Sequence, residues 1–174
     1  MNYKECYNRS INAPEDFWKE QADVLEWYSK PQAILSKDEN GYARWFADGE
    51  LNICYLAIDK HIQDGHGEQV AFIYDSPVTQ NVRKYTFNEV KTEVAKLAGG
   101  LVSLGLTKGD TAVIYMPMIP QVAFAMLACA RIGVTHSVVF GGFAPHELAI
   151  RIDDSKPKAI ITASSGIEID RLIA

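Results

Sequence analysis

Phe140-Gly141-Gly142-Phe143-Ala144-Pro145 is the segment best suited to holding a ligand. Paired glycines remove Cβ atoms where a ligand backbone or phosphate must come close, and the amino end of the helix that follows favours anions. Met116-Pro117-Met118-Ile119-Pro120 forms a second such loop. A glycine pair between strand and helix also serves as turn geometry alone. The chain has no GxGxxG and no GxxxxGK[ST], so neither a dinucleotide fingerprint nor a Walker phosphate loop is readable. It has no G-x-S-x-G nucleophile elbow. His61 sits late in a helical stretch, His66 in a glycine turn, His136 in a strand and His146 in the first turn of a helix. Cys6, Cys54 and Cys129 are far apart, with no CxxC and no Cys/His cluster, so no disulfide framework or metal site is read. Asp153-Asp154 ends a helix, where adjacent side chains do not face each other. No catalytic residue and no metal ligand is assigned.

The elements that must position these loops alternate. Gln69–Asp75 reads as a strand, Ser76–Asn81 as a hairpin loop and Val82–Tyr85 as the return strand. Thr86 and Glu89 form a Thr-x-x-Glu capping box. The helix it opens carries Phe87, Val90, Val94, Leu97, Leu101 and Leu104 in steps of three and four. Gly105 ends that helix; Gly99 and Gly100 lie inside it and call for a close-packed neighbour. Thr111–Met116 is a buried strand, Gln121–Ile132 a helix apolar nearly all round, Thr135–Phe140 a strand, Pro145 to about Asp154 a helix, and Lys158–Ala163 a strand. This rhythm predicts a parallel α/β sheet with right-handed crossovers. A parallel sheet has both faces covered. No closing helix follows Ala163, so the sequence reads as part of a longer chain, with apolar surface left open to self-association.

The first 65 or so residues differ from the rest. They contain all three tryptophans and five of the eight tyrosines. One helix is predicted near Pro14–Tyr28, with Asn12 as N-cap and Glu15 at the capping-box spacing. A second is predicted over Asn52–Gln63, with Ile53, Leu56, Ala57 and Ile62 inward. The expected division is 1–65, a mostly helical arm wrapping a larger body or a small helical subdomain packing on itself, and 66–174, an α/β part.

Totals set the class. The chain has 174 residues, 48% hydrophobic and 22% charged, with net charge -5 and no Lys/Arg stripe, which argues against a nucleic-acid partner. A polar start carries no signal-peptide pattern, and the most apolar stretch, Val122 to Ala130, is far below the ~20 residues of a membrane span. Reduced thiols and a cytoplasmic location are expected.

Val113-Ile114-Tyr115-Met116-Pro117-Met118-Ile119-Pro120, Ala125-Met126-Leu127-Ala128-Cys129-Ala130-Arg131-Ile132-Gly133, His136-Ser137-Val138-Val139-Phe140-Gly141-Gly142-Phe143 and Arg151-Ile152-Asp153-Asp154 together resemble the acetyl- and propionyl-CoA synthetases, of the adenylate-forming acyl-CoA ligase superfamily. Phe17-Trp18, Trp45-Phe46, Gly49, Leu51-Asn52 and Asp59-Lys60-His61 resemble the amino-terminal extension of its short-chain branch. The resemblance implies an enzyme that forms an acyl-adenylate from a short carboxylate and MgATP, then passes the acyl group to coenzyme A (CoA). It implies a CoA contact at Phe140, Gly141 and Gly142. The family's Arg-x-x-Arg for CoA phosphates falls on Glu168 and Arg171; Arg171 matches, whereas Glu168 is a carboxylate and cannot pair with phosphate. The family's Ser/Thr/Gly-rich phosphate loop, nucleotide aspartate, acyl-pocket tryptophan and late lysine have no counterpart here, so these 174 residues are expected to be inactive alone. Ala163-Ser164-Ser165-Gly166-Ile167-Glu168 resembles the propionyl-type branch more than the acetyl-type. The competing expectation is a non-catalytic relative that binds CoA or a partner. A nicotinamide dehydrogenase fails for want of the glycine fingerprint.

Overall fold

The computed structural model describes residues 2–140, 145–167 and 172–173. The chain forms two compact units, Met1–Asn52 and Ile53–Ala174.

In the first unit, α1 spans Tyr3–Asn12 and α2 spans Pro14–Asp23. The capping box is at Asn2 and Glu5, each side chain bonded to the other's backbone N–H at 3.0 Å. Asn12 therefore ends a helix that the sequence reading missed, instead of capping the next one. The residue before α2 is Ala13, which has no side-chain acceptor, and Pro14 begins the helix because its missing N–H would be unbonded there anyway. α2 stops at Asp23, short of the expected Tyr28. Trp27 leaves the helix to donate from Nε1 to the Ala22 carbonyl at 2.8 Å. A short antiparallel pair follows, β1 (Leu35–Lys37) with β2 (Ala43–Trp45). Trp45 of β2 packs on Trp18 of α2 with ring centroids 6.3 Å apart, and Phe46, just after β2, lies 5.8 Å from Trp27, beyond α2. Gly49 closes this cluster, since a Cβ there would stand 2.6 Å from the Trp27 ring.

In the second unit, residues 53–66 are wound wide, with π segments at Tyr55–Asp59 and at Ile62–His66, the second kinked at Gly65, whose φ is 87°. The wider turn rotates the inward face. Cys54, Ile58 and Asp59 are buried, whereas Ile53, expected inward, is 62% exposed, and Ala57 also faces solvent. A 3.6-residue period misplaces that face because π turns bond i to i+5. This stretch packs on the next helix and belongs to the second unit, although the sequence rhythm changes only near residue 65.

The hairpin pairs β3 (Val70–Ser76) with β4 (Asn81–Thr86), antiparallel and irregular between Val70 and Phe72. α3 runs Phe87–Ser103 from its capping box, with Thr86 N–H on Glu89 Oε2 at 2.8 Å and Glu89 N–H on Thr86 Oγ1 at 3.2 Å. Its buried face is Val90, Val94, Ala98 and Leu101, and each large aliphatic there contributes on the order of 2 kcal/mol. Leu104 lies past the last turn and is 75% exposed. No atom lies within 4 Å of a Cβ built at Gly99 or Gly100, so the close neighbour that would justify the pair is absent among the described residues.

β5 (Thr111–Met116), β6 (Thr135–Phe140) and β7 (Ala159–Thr162) form a parallel sheet in the order β6-β5-β7. α4 (Pro120–Ile132) joins β5 to β6, and α5 (Pro145–Ser155) joins β6 to β7. The first crossover steps one way and the second steps back over β5. Right-handed connections therefore put α4 and α5 on opposite faces. β5 is the buried centre, with Ala112, Val113 and Ile114 fully covered. α4 buries Val122, Phe124, Ala125, Ala128 and Cys129, as its all-round apolar sequence requires. It ends at Gly133, whose φ of 72° suits glycine, and a Cβ there would meet Lys108 Cγ at 2.8 Å. A last antiparallel pair, β8 (Gly166–Ile167) with β9 (Leu172–Ile173), follows β7 and was not foreseen. No described helix is long and apolar enough to cross a membrane.

Candidate functional site

The strand order makes β5 a switch point: the chain leaves it towards β6 on one side and returns to β7 on the other. The crevice at the carboxyl ends of the strands beside such a point is where open α/β sheets bind ligands. A cavity of about 430 Å³ occupies that place. Pro117, Ile119, Pro120 and Gln121, after β5, form one wall. Ala163, Ser164, Ser165 and Ile167, after β7, form the floor. The β3–β4 hairpin supplies the far wall through Tyr74, Thr79, Asn81, Arg83 and Tyr85.

Local sequence explains each wall. The loop after β5 turns tightly, Ile119 N–H donating to the Pro117 carbonyl at 2.8 Å, and Pro120 holds Ile119 extended as it leads into α4 with no side-chain cap. Alternation along β4 puts Asn81, Arg83 and Tyr85 on one face. The Arg83 guanidinium lies 4.4 Å from the Tyr85 ring centroid, a cation–π contact that orients it. Its ion-pair partner, Glu89, is distant at 3.9 Å and already engaged in the α3 cap. Beneath the hairpin, Phe72, Tyr85 and Phe124 pack with centroids 5.0, 5.9 and 5.4 Å apart, fixing the wall to α4.

The loops singled out by sequence fare differently. Pro117, Ile119 and Pro120 line the cavity. Phe140 ends β6 in register with Met116, at the same carboxyl edge of the sheet. Gly141, Gly142, Glu168 and Arg171 lie outside the described residues. The hairpin residues were missed, although the Asn81-x-Arg83-x-Tyr85 alternation was a readable sign that one face of that strand was polar and aromatic.

Three of the four histidines have structural surroundings. His61 stacks on Phe87 at 4.8 Å, and His66 Nδ1 is 2.9 Å from Gln69 Nε2. Burial pulls the His136 imidazole below its ordinary pKa. Among the described residues no group of three or more His, Cys, Asp or Glu could hold a metal ion. A second cavity of about 340 Å³ lies between α3 and α4, but its charges, Glu93 and Lys96, pair with each other at 2.8 Å.

Comparison with known proteins bears on both units. The family model for the acetyl-coenzyme A synthetase N-terminus matches residues 3–57, and that for the AMP-binding enzymes matches residues 59–173. An uncharacterized protein of Pseudomonas aeruginosa is 57% identical over 99% of this chain and 28% of its own length. The human mitochondrial acyl-CoA synthetase short-chain family member 3 is 52% identical over 98% of this chain and 25% of its own. The propionate–CoA ligase of Escherichia coli is 44% identical over 99% of this chain and 27% of its own. The chain thus spans about a quarter of the length of these relatives, corresponding to their amino-terminal part. With matches in register across both segments, and with the parallel α/β sheet the sequence had led one to expect, the chain belongs to the AMP-binding enzyme family, on the side of the short-chain acyl-CoA synthetases.

Proposed function

We propose that the complete protein is an AMP-forming acid–CoA ligase. It activates a short carboxylate, propionate or acetate, with MgATP to an acyl-adenylate and transfers the acyl group to CoA. The observation that carries this is the pair of family models covering residues 3–57 and 59–173. Pyrophosphate release turns a poor acyl donor into a good one, and the CoA thiol then takes the acyl group. Phe140, Gly141, Gly142 and Arg171 are the proposed CoA contacts in this chain. Glu168 replaces the first arginine of the family pair, which weakens the hold on the nucleotide phosphates. No residue here is assigned to ATP or Mg2+, because no Ser/Thr/Gly-rich phosphate loop occurs in these 174 residues. Propionate is the preferred acid on the Ala163–Glu168 resemblance. The reading goes with a cytoplasmic enzyme whose Cys6, Cys54 and Cys129 stay reduced.

Taken alone, residues 1–174 should release no pyrophosphate from ATP with either acid. The assay is pyrophosphate release by the purified chain, its intact mass verified. Turnover would show that the missing parts are not needed and would sink this division of labour. The same chain should self-associate through its outer strands, where Val138 on β6 is 46% and Ile160 on β7 is 47% exposed.

A further inference from the structure

We infer that the cavity at the β5/β7 switch point is an anion site in which Arg83 binds a phosphate of a nucleotide. The choice of a nucleotide rests on the acid–CoA ligase reading; the anion preference does not. Among the described residues, Arg83 is the only charged side chain lining the cavity. Among the described residues no carboxylate lines it. The guanidinium is held by the Tyr85 ring, with Glu89 at 3.9 Å as its nearest carboxylate, and its side chain is 55% exposed. The planar guanidinium fork suits phosphate oxygens. Ser164 and Ser165 on the floor and Thr79 opposite add hydroxyl donors. Tyr74, Pro117 and Ile119 add apolar lining that a base could contact. A volume near 430 Å³ lies in the range of small-ligand pockets.

Two substrates of such a ligase carry an adenosine phosphate, CoA and ATP, and the test separates them. The ¹⁵N-labelled 174-residue chain is titrated with CoA, adenosine 3′,5′-bisphosphate, ATP and inorganic phosphate. The expected result is binding of at least one nucleotide, with amide shifts at Thr79, Ser164 and Ser165. Arg83→Gln should weaken it at least about tenfold, the order of one charge-assisted hydrogen bond, and Arg83→Lys by less. Circular dichroism checks that both variants keep the fold. Binding of CoA and the bisphosphate without ATP names CoA as the source, and the reverse names ATP. Unchanged affinity in Arg83→Gln, shifts confined elsewhere, or no binding at 10 mM, roughly the weak limit for a real site, overturns the anion site. Inorganic phosphate binding as tightly as any nucleotide overturns the nucleotide assignment. The ligase reading stands or falls separately, on acyl-CoA formation by the complete protein.

Discussion

Asp59→Ala should destabilise the second unit by about 2 kcal/mol, between the loss of an exposed ion pair and the cost of stranding a fully buried charge. Asp59 is 8% exposed and sits at the end of the first π segment. One oxygen meets Arg131 Nη2 of α4 at 2.5 Å and the other meets Lys91 Nζ of α3 at 3.2 Å. The carboxylate therefore ties three elements at once. Without it Arg131, 26% exposed, and Lys91, 46% exposed, both lose their shared counter-charge. Urea unfolding followed by circular dichroism measures the loss. Replacing the pair by apolar residues, Asp59→Leu with Arg131→Met, should recover most of it, since well-packed hydrophobes often match a buried ion pair. Cys54 gives a second readout. It is fully buried beside Arg131, and burial pushes its thiol pKa up even though the guanidinium pulls the other way. In Asp59→Ala its reaction with a thiol reagent should quicken. A cost below about 0.5 kcal/mol, typical of an exposed pair, would show that the cluster behaves as surface charge.

Phe124→Ala is expected to cost about 3–4 kcal/mol, the usual range for an aromatic deleted from a packed core. Phe124 is 5% exposed and completes the aromatic cluster with Phe72 and Tyr85. Its effect should be uneven. The β3–β4 hairpin is held to the body partly by this contact, so its amides should exchange faster than those of β5. Tyr85 also carries the Arg83 guanidinium, so nucleotide affinity should fall with the loosening. Hydrogen exchange resolved by residue checks the pattern. Equal acceleration in hairpin and sheet would mean that the cluster supports the whole core instead of one cavity wall.

Where local chemistry and tertiary structure agree, the fold was readable. Thr111–Met116 and Thr135–Phe140 were placed to the residue because apolar runs bounded by glycine and proline leave few alternatives. Thr86 and Glu89 gave the start of α3, since a capping box is a purely local device. Asn12 and Glu15 have the same spacing and misled, because Asn2 and Glu5 had begun an earlier helix that runs through Asn12. The inward face predicted for Asn52–Gln63 was right at Ile62, which packs on the core, and wrong at Ile53 and Ala57 for a different reason: π turns change the period, and nothing in the residue types announces them. Of the site, the loop after β5 was legible from its prolines. Arg83 was not, because its importance comes from the hairpin folding over the switch point, a contact between residues about 80 apart in sequence. Gly141, Gly142 and Arg171 rest on resemblance, outside the described residues.

The most direct test is product analysis of the complete protein supplied with MgATP, CoA and either propionate or acetate. The account predicts acyl-CoA in step with AMP and pyrophosphate, with propionate the better acid and no nucleotide cleavage when the acid is withheld. ADP and inorganic phosphate as products, or CoA bound with no acyl-CoA formed from either acid, would contradict it.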